Sequence, residues 1–310
     1  MLAVVFPGQG SQAVGMAMDF ARSHSVSRAA LEEAEAAFGG GLIERIERGP
    51  ESELARTEIT QPAVLAASIA IWRAVESQLA KPPVMFAGHS LGEYSAVVAA
   101  GGLPLGDAIR LVRRRGALMQ EAVPEGEGAM AAVLGSDDDT IARVCKEIAG
   151  FVAPANYNSP GQTVIAGRRE SVTAAAESLK AAGAKRVIPL DVSAPFHCDL
   201  MASAMEKLTP ELGAAPFRDL RVPVVANVDA KPYTAAADAR AKLRAQVCAP
   251  VRWVDCVQTL IAAGAKLQLE VGPGRVLSGF AARIDRGLAR ANVGKVEELE
   301  PALAKAAELL

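Results

Sequence analysis

The sequence predicts an α/β fold in which an open sheet of mainly parallel strands is interrupted by a smaller α+β unit, and three stretches carry that prediction. Leu2 to Phe6 is a short apolar run that ends in Pro7-Gly8-Gln9-Gly10-Ser11-Gln12, a strand passing into a loop too glycine-rich to continue it. Val84 to Ala87 is a second apolar run, broken by Gly88-His89-Ser90-Leu91-Gly92 and followed by helix formers from Leu91 to Ala100. Between residues 128 and 191 the patterns follow the order β-α-β-β-α-β, a compact unit with its own hydrophobic periodicity.

Bulk properties narrow the function classes. The chain has 310 residues with 51% hydrophobic content, enough for one large core or a core plus a smaller inserted unit. The longest apolar runs, such as Ala63 to Trp72, fall short of the roughly 20 residues a membrane span needs, and no basic region precedes an apolar one at the N-terminus. A soluble, cytoplasmic protein without membrane contact is therefore expected. Cys145, Cys198, Cys248 and Cys256 lack paired spacing, so neither disulfides nor a metal site is expected. A formal net charge of -2 argues against general nucleic-acid binding, which needs clustered Lys and Arg.

Taken in order, the loop after the first strand brings backbone close to any ligand at the C-terminal end of a parallel sheet. The Gln9 N–H is then either a donor to a developing oxyanion or part of an ordinary turn. Residues 28 to 38 and 62 to 79 carry helical periodicity, the second with Val64, Ser68, Ile69, Trp72, Val75 and Leu79 on one face. Gly88-x-Ser90-x-Gly92 matches a nucleophile elbow, a sharp strand-to-helix turn that exposes Ser90 and points the Leu91 N–H at a carbonyl oxygen under attack. Leu105 to Ala122 reads as a helix with Ala108, Leu111, Val112, Leu118 and Met119 along one face. Arg115 shares that inward stripe, whereas Arg110, Arg113 and Arg114 fall to the flanks and outer face. An inward guanidinium needs a structural carboxylate, a snorkelling path or a substrate anion.

The unit from 128 to 191 has strands at Ala129 to Leu134, Phe151 to Asn156, Thr163 to Ala166 and Arg186 to Asp191, with helices at Asp138 to Ile148 and Glu170 to Ala182. That order is ferredoxin-like. Asn158-Ser159-Pro160-Gly161-Gln162 links its central strands, and Asn156 either faces a ligand or caps this turn. The chain returns at Val192-Ser193-Ala194-Pro195-Phe196-His197-Cys198, which presents His197 as the candidate general base. Val222 to Ala226 and Lys266 to Val271 look like further parallel strands, each followed by a loop and a helix. Gln246 closes a helix ahead of Pro250, and its carbonyl is a plausible anchor for a histidine ring nitrogen. No acid stands out as a third triad member; Asp191, six residues before His197, is the nearest.

Together these blocks resemble the malonyl-CoA:acyl carrier protein transacylases of fatty-acid synthesis and, more distantly, the acyltransferase domains of polyketide synthases. The blocks are Pro7-Gly8-Gln9-Gly10-Ser11-Gln12, Thr60-Gln61-Pro62-Ala63, Gly88-His89-Ser90-Leu91-Gly92-Glu93, Arg115-Gly116 ahead of Met119-Gln120, and Asn156-x-Asn158-Ser159-Pro160-Gly161-Gln162. The resemblance implies a hydrolase-like α/β subdomain at residues 1–125 and 193–310, an inserted ferredoxin-like subdomain at 126–192, and a cleft between them. It implies that Ser90 carries the acyl group, His197 is the base, the Gln246 carbonyl orients it, Arg115 grips the malonyl carboxylate, and Gln9 and Leu91 form the oxyanion hole. Phe196 immediately before the histidine supports malonyl over methylmalonyl. The partners implied are malonyl-CoA and acyl carrier protein, with no cofactor of the enzyme's own, and a monomer is expected. Three rivals stand beside this reading. They are a serine thioesterase or hydrolase, a loading transferase for a polyketide synthase or malonate decarboxylase carrier, and a non-catalytic binding relative, which would be expected to lack nucleophile or base.

Overall fold

The computed structural model describes residues 1–192 and 194–309, so position 193, where the large subdomain was expected to resume, lies outside the described residues. The first sheet combines β1 (Leu2–Phe6), β2 (Met85–Gly88), β7 (Val224–Val225), β8 (Pro232–Tyr233), β9 (Leu267–Val271) and β10 (Ala289–Val293). Its order is β10-β9-β1-β2-β7-β8, parallel except for β8. The second sheet combines β3 (Gly128–Leu134), β4 (Val152–Ser159), β5 (Gln162–Arg168) and β6 (Arg186–Pro189) in the order β4-β5-β3-β6, antiparallel throughout. This is the strand order of a ferredoxin-like unit, with helices Asp138–Glu147 and Arg169–Ala181 as its crossovers.

Alternation along β1 shows how the large sheet is filled. Leu2, Val4 and Phe6 belong to one core with Val64, Trp72, Val97 and Val112, while Ala3 and Val5 pack with Trp253, Val257, Leu260 and Leu277 on the other face. Trp72 stands edge-on to both Phe6 and Phe86, with ring centroids 6.1 and 5.2 Å away. Its helix, Thr57–Glu76, begins a turn before the stretch that periodicity marks and ends before Leu79. It is buried on almost every face, which places it under the sheet rather than at the surface.

Register brings the loops to one end. Phe6 pairs with Gly88 and Val5 with both Ala87 and Glu270, so the segments after β1, β2 and β9 emerge side by side at the C-terminal edge. The elbow glycines are demanded by space rather than by dihedral angle: a Cβ on Gly88 would lie 1.9 Å from the Gly92 carbonyl carbon, and one on Gly92 would lie 2.1 Å from Phe6 O. Between them Ser90 adopts φ 52°, ψ -107° as the chain swings into helix Leu91–Ala99.

One expected element differs. Val222 to Ala226 yields only the two residues of β7, and no helix follows directly. The chain instead turns through Ala226 to Ala230, the Ala230 N–H donating to Ala226 O at 2.9 Å, and returns as antiparallel β8. That turn places Asn227 beneath the elbow. The small sheet is attached to the large unit nearby, through a parallel bridge between Asn156 and Val251 with Tyr157 N to Val251 O and Val251 N to Ala155 O both at 2.9 Å.

Candidate active site

A cleft of about 110 Å³ is lined by Gln9, Gln61, His89, Ser90, Arg115, Met119, Met130, Asn156, Leu190, Val192, Phe196 and His197. It joins a second hollow of about 210 Å³ that shares Gln9, His89, Asn156 and Leu190 and extends past Asn158 to Val276 and Phe280. The larger hollow of about 340 Å³ beside Trp72 and Arg221, at the far end of β2, is lined by neither a hydroxyl nor an imidazole among the described residues.

At the cleft floor the Ser90 Oγ and His197 Nε2 are 2.6 Å apart. The His197 Nδ1 lies 2.9 Å from Gln246 O, and because a carbonyl can only accept, Nδ1 carries the ring proton. Nε2 is therefore bare, and the serine hydroxyl donates to it. Burial first, and the Arg115 guanidinium second, lower the imidazole to about 3, so the ring is neutral at neutral pH. Asp191 is exposed and takes no part: the position a triad acid would fill is held by the Gln246 carbonyl.

Arg115 is 1% exposed, on the inward stripe of helix Leu105–Glu121. Its Nη1 donates to Gln61 Oε1 at 2.8 Å, and its Nη2 to Gln246 Oε1 at 3.0 Å and Ser90 Oγ at 3.3 Å. All three acceptors are uncharged, and Nε has no hydrogen-bond partner among the described residues. The guanidinium also lies over Tyr94, 5.4 Å from its ring centroid. The neighbouring arginines do separate work: Arg113 donates to Phe38 O and stacks on its ring, Arg114 pairs with Glu211, and Arg110 with Asp107.

The remaining expected residues surround this centre. Gln9 lines the cleft and its side chain donates to Thr57 Oγ1 at 3.3 Å; Leu91, fully buried, is the first helical residue after Ser90. Phe196 and Asn156 form walls. His89 is turned away from the base, its Nε2 donating to Asn158 Oδ1 at 2.8 Å, with burial lowering its basicity.

Three residues were not singled out from sequence. Gln61 holds Arg115 and was visible only as part of the Thr60-Gln61-Pro62-Ala63 block. Asn227 clamps the elbow, its Oδ1 accepting from Ser90 N at 2.7 Å and its Nδ2 donating to Gly88 O at 2.8 Å. Glu93 is 0% exposed and accepts from Asn227 N at 2.9 Å, Gln246 Nε2 at 2.7 Å and Tyr233 Oη at 3.0 Å. Burial raises its carboxyl to about 7, against the pull of those donors and of Arg115. Among the described residues no cluster of three or more His, Cys, Asp or Glu side chains could hold a metal ion.

A serine primed by a neutral histidine, with a buried cation beside its oxygen, suits transfer of an acyl group that bears an anion. Comparison with known proteins points the same way. A family model described as acyl transferase domain matches residues 3–308. The malonyl CoA-acyl carrier protein transacylase of Salmonella typhimurium is 48% identical over 303 residues, covering 97% of this chain and 98% of that protein. Its Escherichia coli K12 counterpart is 51% identical over 284 residues, covering 91% and 92%. A solved malonyl-transacylase in complex with its type II PKS acyl-carrier protein superposes with a TM-score of 0.96 at 48% identity, covering 98% of this chain and 99% of that one. The chain belongs to the acyl transferase domain family, in its malonyl CoA-acyl carrier protein transacylase branch.

Proposed function

We propose that this acyltransferase passes a malonyl group from malonyl-CoA to the phosphopantetheine thiol of acyl carrier protein through a malonyl ester on Ser90, supplying fatty-acid synthesis. The observation that carries the mechanism is the arrangement at Ser90 Oγ, with a bare imidazole nitrogen at 2.6 Å and a guanidinium nitrogen at 3.3 Å. Ser90 attacks the thioester carbonyl while His197 Nε2 takes the hydroxyl proton. The N–H groups of Leu91 and Gln9 receive the oxyanion, at a helix N-terminus and a glycine-flanked loop respectively. As the carbonyl re-forms, the C–S bond breaks and the imidazolium proton goes to the departing CoA sulfur. The carrier's thiol then gives its proton to His197, its sulfur attacks the ester, and the proton returns to Ser90.

Arg115 selects the acyl group by pairing with the malonyl carboxylate, and Phe196 narrows the wall against branched acyl groups. Asn156 lines the approach shared by both thiol substrates. Residues 1–125 with 193–310, and 126–192, act as two subdomains flanking this cleft. The chemistry needs no metal and no cofactor of the enzyme's own, since the carrier brings the phosphopantetheine. No helix among the described residues is long and apolar enough to cross a membrane. A cytoplasmic monomer without nucleic-acid or membrane partners fits the reading.

The experiment is intact-protein mass spectrometry after incubation with malonyl-CoA. A malonyl adduct on the wild-type chain and none on Ser90→Ala is expected; an unmodified wild type, or equal labelling of both, refutes the ester. The relative solved with a type II PKS carrier supports a second acceptor class. Offering the malonyl-enzyme a fatty-acid carrier and a polyketide carrier side by side decides between them.

A further inference from the structure

Arg115 poses an electrostatic problem. It is buried, its hydrogen-bond partners are all neutral, and yet it must stay charged before any substrate arrives. The Gln246 side chain leads to the answer. Its Oε1 accepts from Arg115 Nη2 at 3.0 Å, and its Nε2 donates to Glu93 Oε2 at 2.7 Å. A single amide thus joins the guanidinium to a fully buried carboxylate, with its dipole aligned to both charges.

We infer that Glu93 is the resident counter-ion of Arg115, held one amide away so that the arginine is charged in the free enzyme but keeps donors available for a substrate carboxylate. This rests on the reading of Arg115 as the malonyl-binding residue. A direct fork-to-carboxylate pair would use the donors that malonyl needs. With no carboxylate at all, a buried cation would stand uncompensated. The spacer avoids both. Glu93 Oε2 accepts from Asn227 N and Gln246 Nε2, neither of which can accept in return, and Oε1 lies 3.0 Å from Tyr233 Oη, so once ionised the carboxylate has a donor on each oxygen. Glu93 touches no reacting atom, so its role is positional and electrostatic.

Glu93→Gln separates charge from shape. A glutamine there can accept from Gln246 and Asn227 and donate to Tyr233 Oη, preserving the packing while removing the negative charge. The first test is a double-mutant cycle on stability at about pH 8.5, above the range to which burial raises Glu93, in the absence of substrate. Glu93→Gln and Arg115→Met should couple, the double variant being more stable than the sum of the two single effects predicts. Additive losses overturn the proposal. Should Glu93→Gln fail to fold, the double variant decides: cooperative melting supports the pairing, and failure to fold contradicts it.

The second test reads the site. Removing the resident anion should tighten binding of free malonate by something on the order of ten-fold and lower KM for malonyl-CoA, leaving KM for acetyl-CoA unchanged. Equal malonate affinity for wild type and Glu93→Gln overturns the proposal. Coupling in the substrate-free cycle together with no malonyl ester on wild-type Ser90 would keep the charge pair and reject the catalytic reading, so the two fail separately.

Discussion

His197 Nδ1 donates to the main-chain carbonyl of Gln246 at 2.9 Å, an acceptor that no change of side chain at position 246 removes. The proposed base is thus held by backbone, where a conventional triad would place an aspartate. His197→Ala should slow acylation by roughly 10² to 10⁴-fold. Asp191→Asn should change it little. Single-turnover acylation by stopped flow compares them; equal damage from both in folded protein would restore a hidden triad.

Gln246→Ala tests the other half of that residue. The carbonyl on His197 persists, but the bonds to Arg115, Ser90 O and Glu93 are lost. Malonyl transfer should therefore fall more than acetyl transfer, because the guanidinium loses a support that the imidazole keeps. A uniform drop for both donors would mean that the side chain serves only packing.

Arg115→Ala removes the proposed charge partner of the substrate. Breaking a desolvated pair costs about 3 to 5 kcal/mol, which at 1.4 kcal/mol per decade predicts a loss of roughly 10² to 10³-fold in malonyl kcat/KM. Acetyl transfer should change little or improve. Arg115→Lys should recover only part, since an ammonium lacks the two-point fork. Parallel kinetics with both donors, plus a thermal melt, checks this.

The pH dependence follows from two buried groups shifted in opposite directions. A base must be neutral to act, and His197 stays neutral down to about 3, so kcat for acylation should stay flat as pH falls through 6.5, the ordinary imidazole value. For stability, the depressed His197 contributes fully above 6.5 and its contribution is lost as pH falls from there to about 3. The raised Glu93 works the other way: its contribution is full below 4.5 and is lost as pH rises through about 7. Between 4.5 and 6.5 the two slopes cancel, and the melting temperature should be level. In Glu93→Gln that plateau should become a rise with pH. Melting curves across this range provide the check.

Asn227→Ala leaves the Ser90 N–H and the Gly88 carbonyl without their partner inside the elbow. Each orphaned buried group costs about 1 to 3 kcal/mol, so a clear fall in melting temperature should accompany a fall in kcat. Asn227→Asp keeps the acceptor but not the donor, and sets a second carboxylate near Glu93; it should be no better. Chemical denaturation of the three proteins measures the difference.

Much of this was legible in the sequence because period and punctuation agree. The 128–191 unit shows its strand and helix order as apolar runs separated by turn residues, the elbow needs its glycines for space, and Arg115 interrupts an apolar stripe where a cation stands out. Glu93 is hidden by the same logic: within Leu91–Ala99 it has ordinary helix propensity and reads as a surface residue, and its burial is decided by Gln246, Tyr233 and Asn227, all more than 130 residues away. Asn227 lies after a strand of only two residues, in a turn that an apolar run through Ala226 gives no reason to expect.

Ser90 and His197 both have positive φ, 52° and 60°, a backbone setting that strains any residue with a side chain by roughly 1 to 3 kcal/mol. Glycine would relieve the strain at either position and abolish the chemistry. At Ser90, where glycine removes little volume, inactivation and stabilisation therefore run together, and Ser90→Gly should melt higher than the active enzyme. At His197, 3% exposed, the cavity and the unpaired Gln246 carbonyl outweigh the relief, so glycine there should cost both activity and stability.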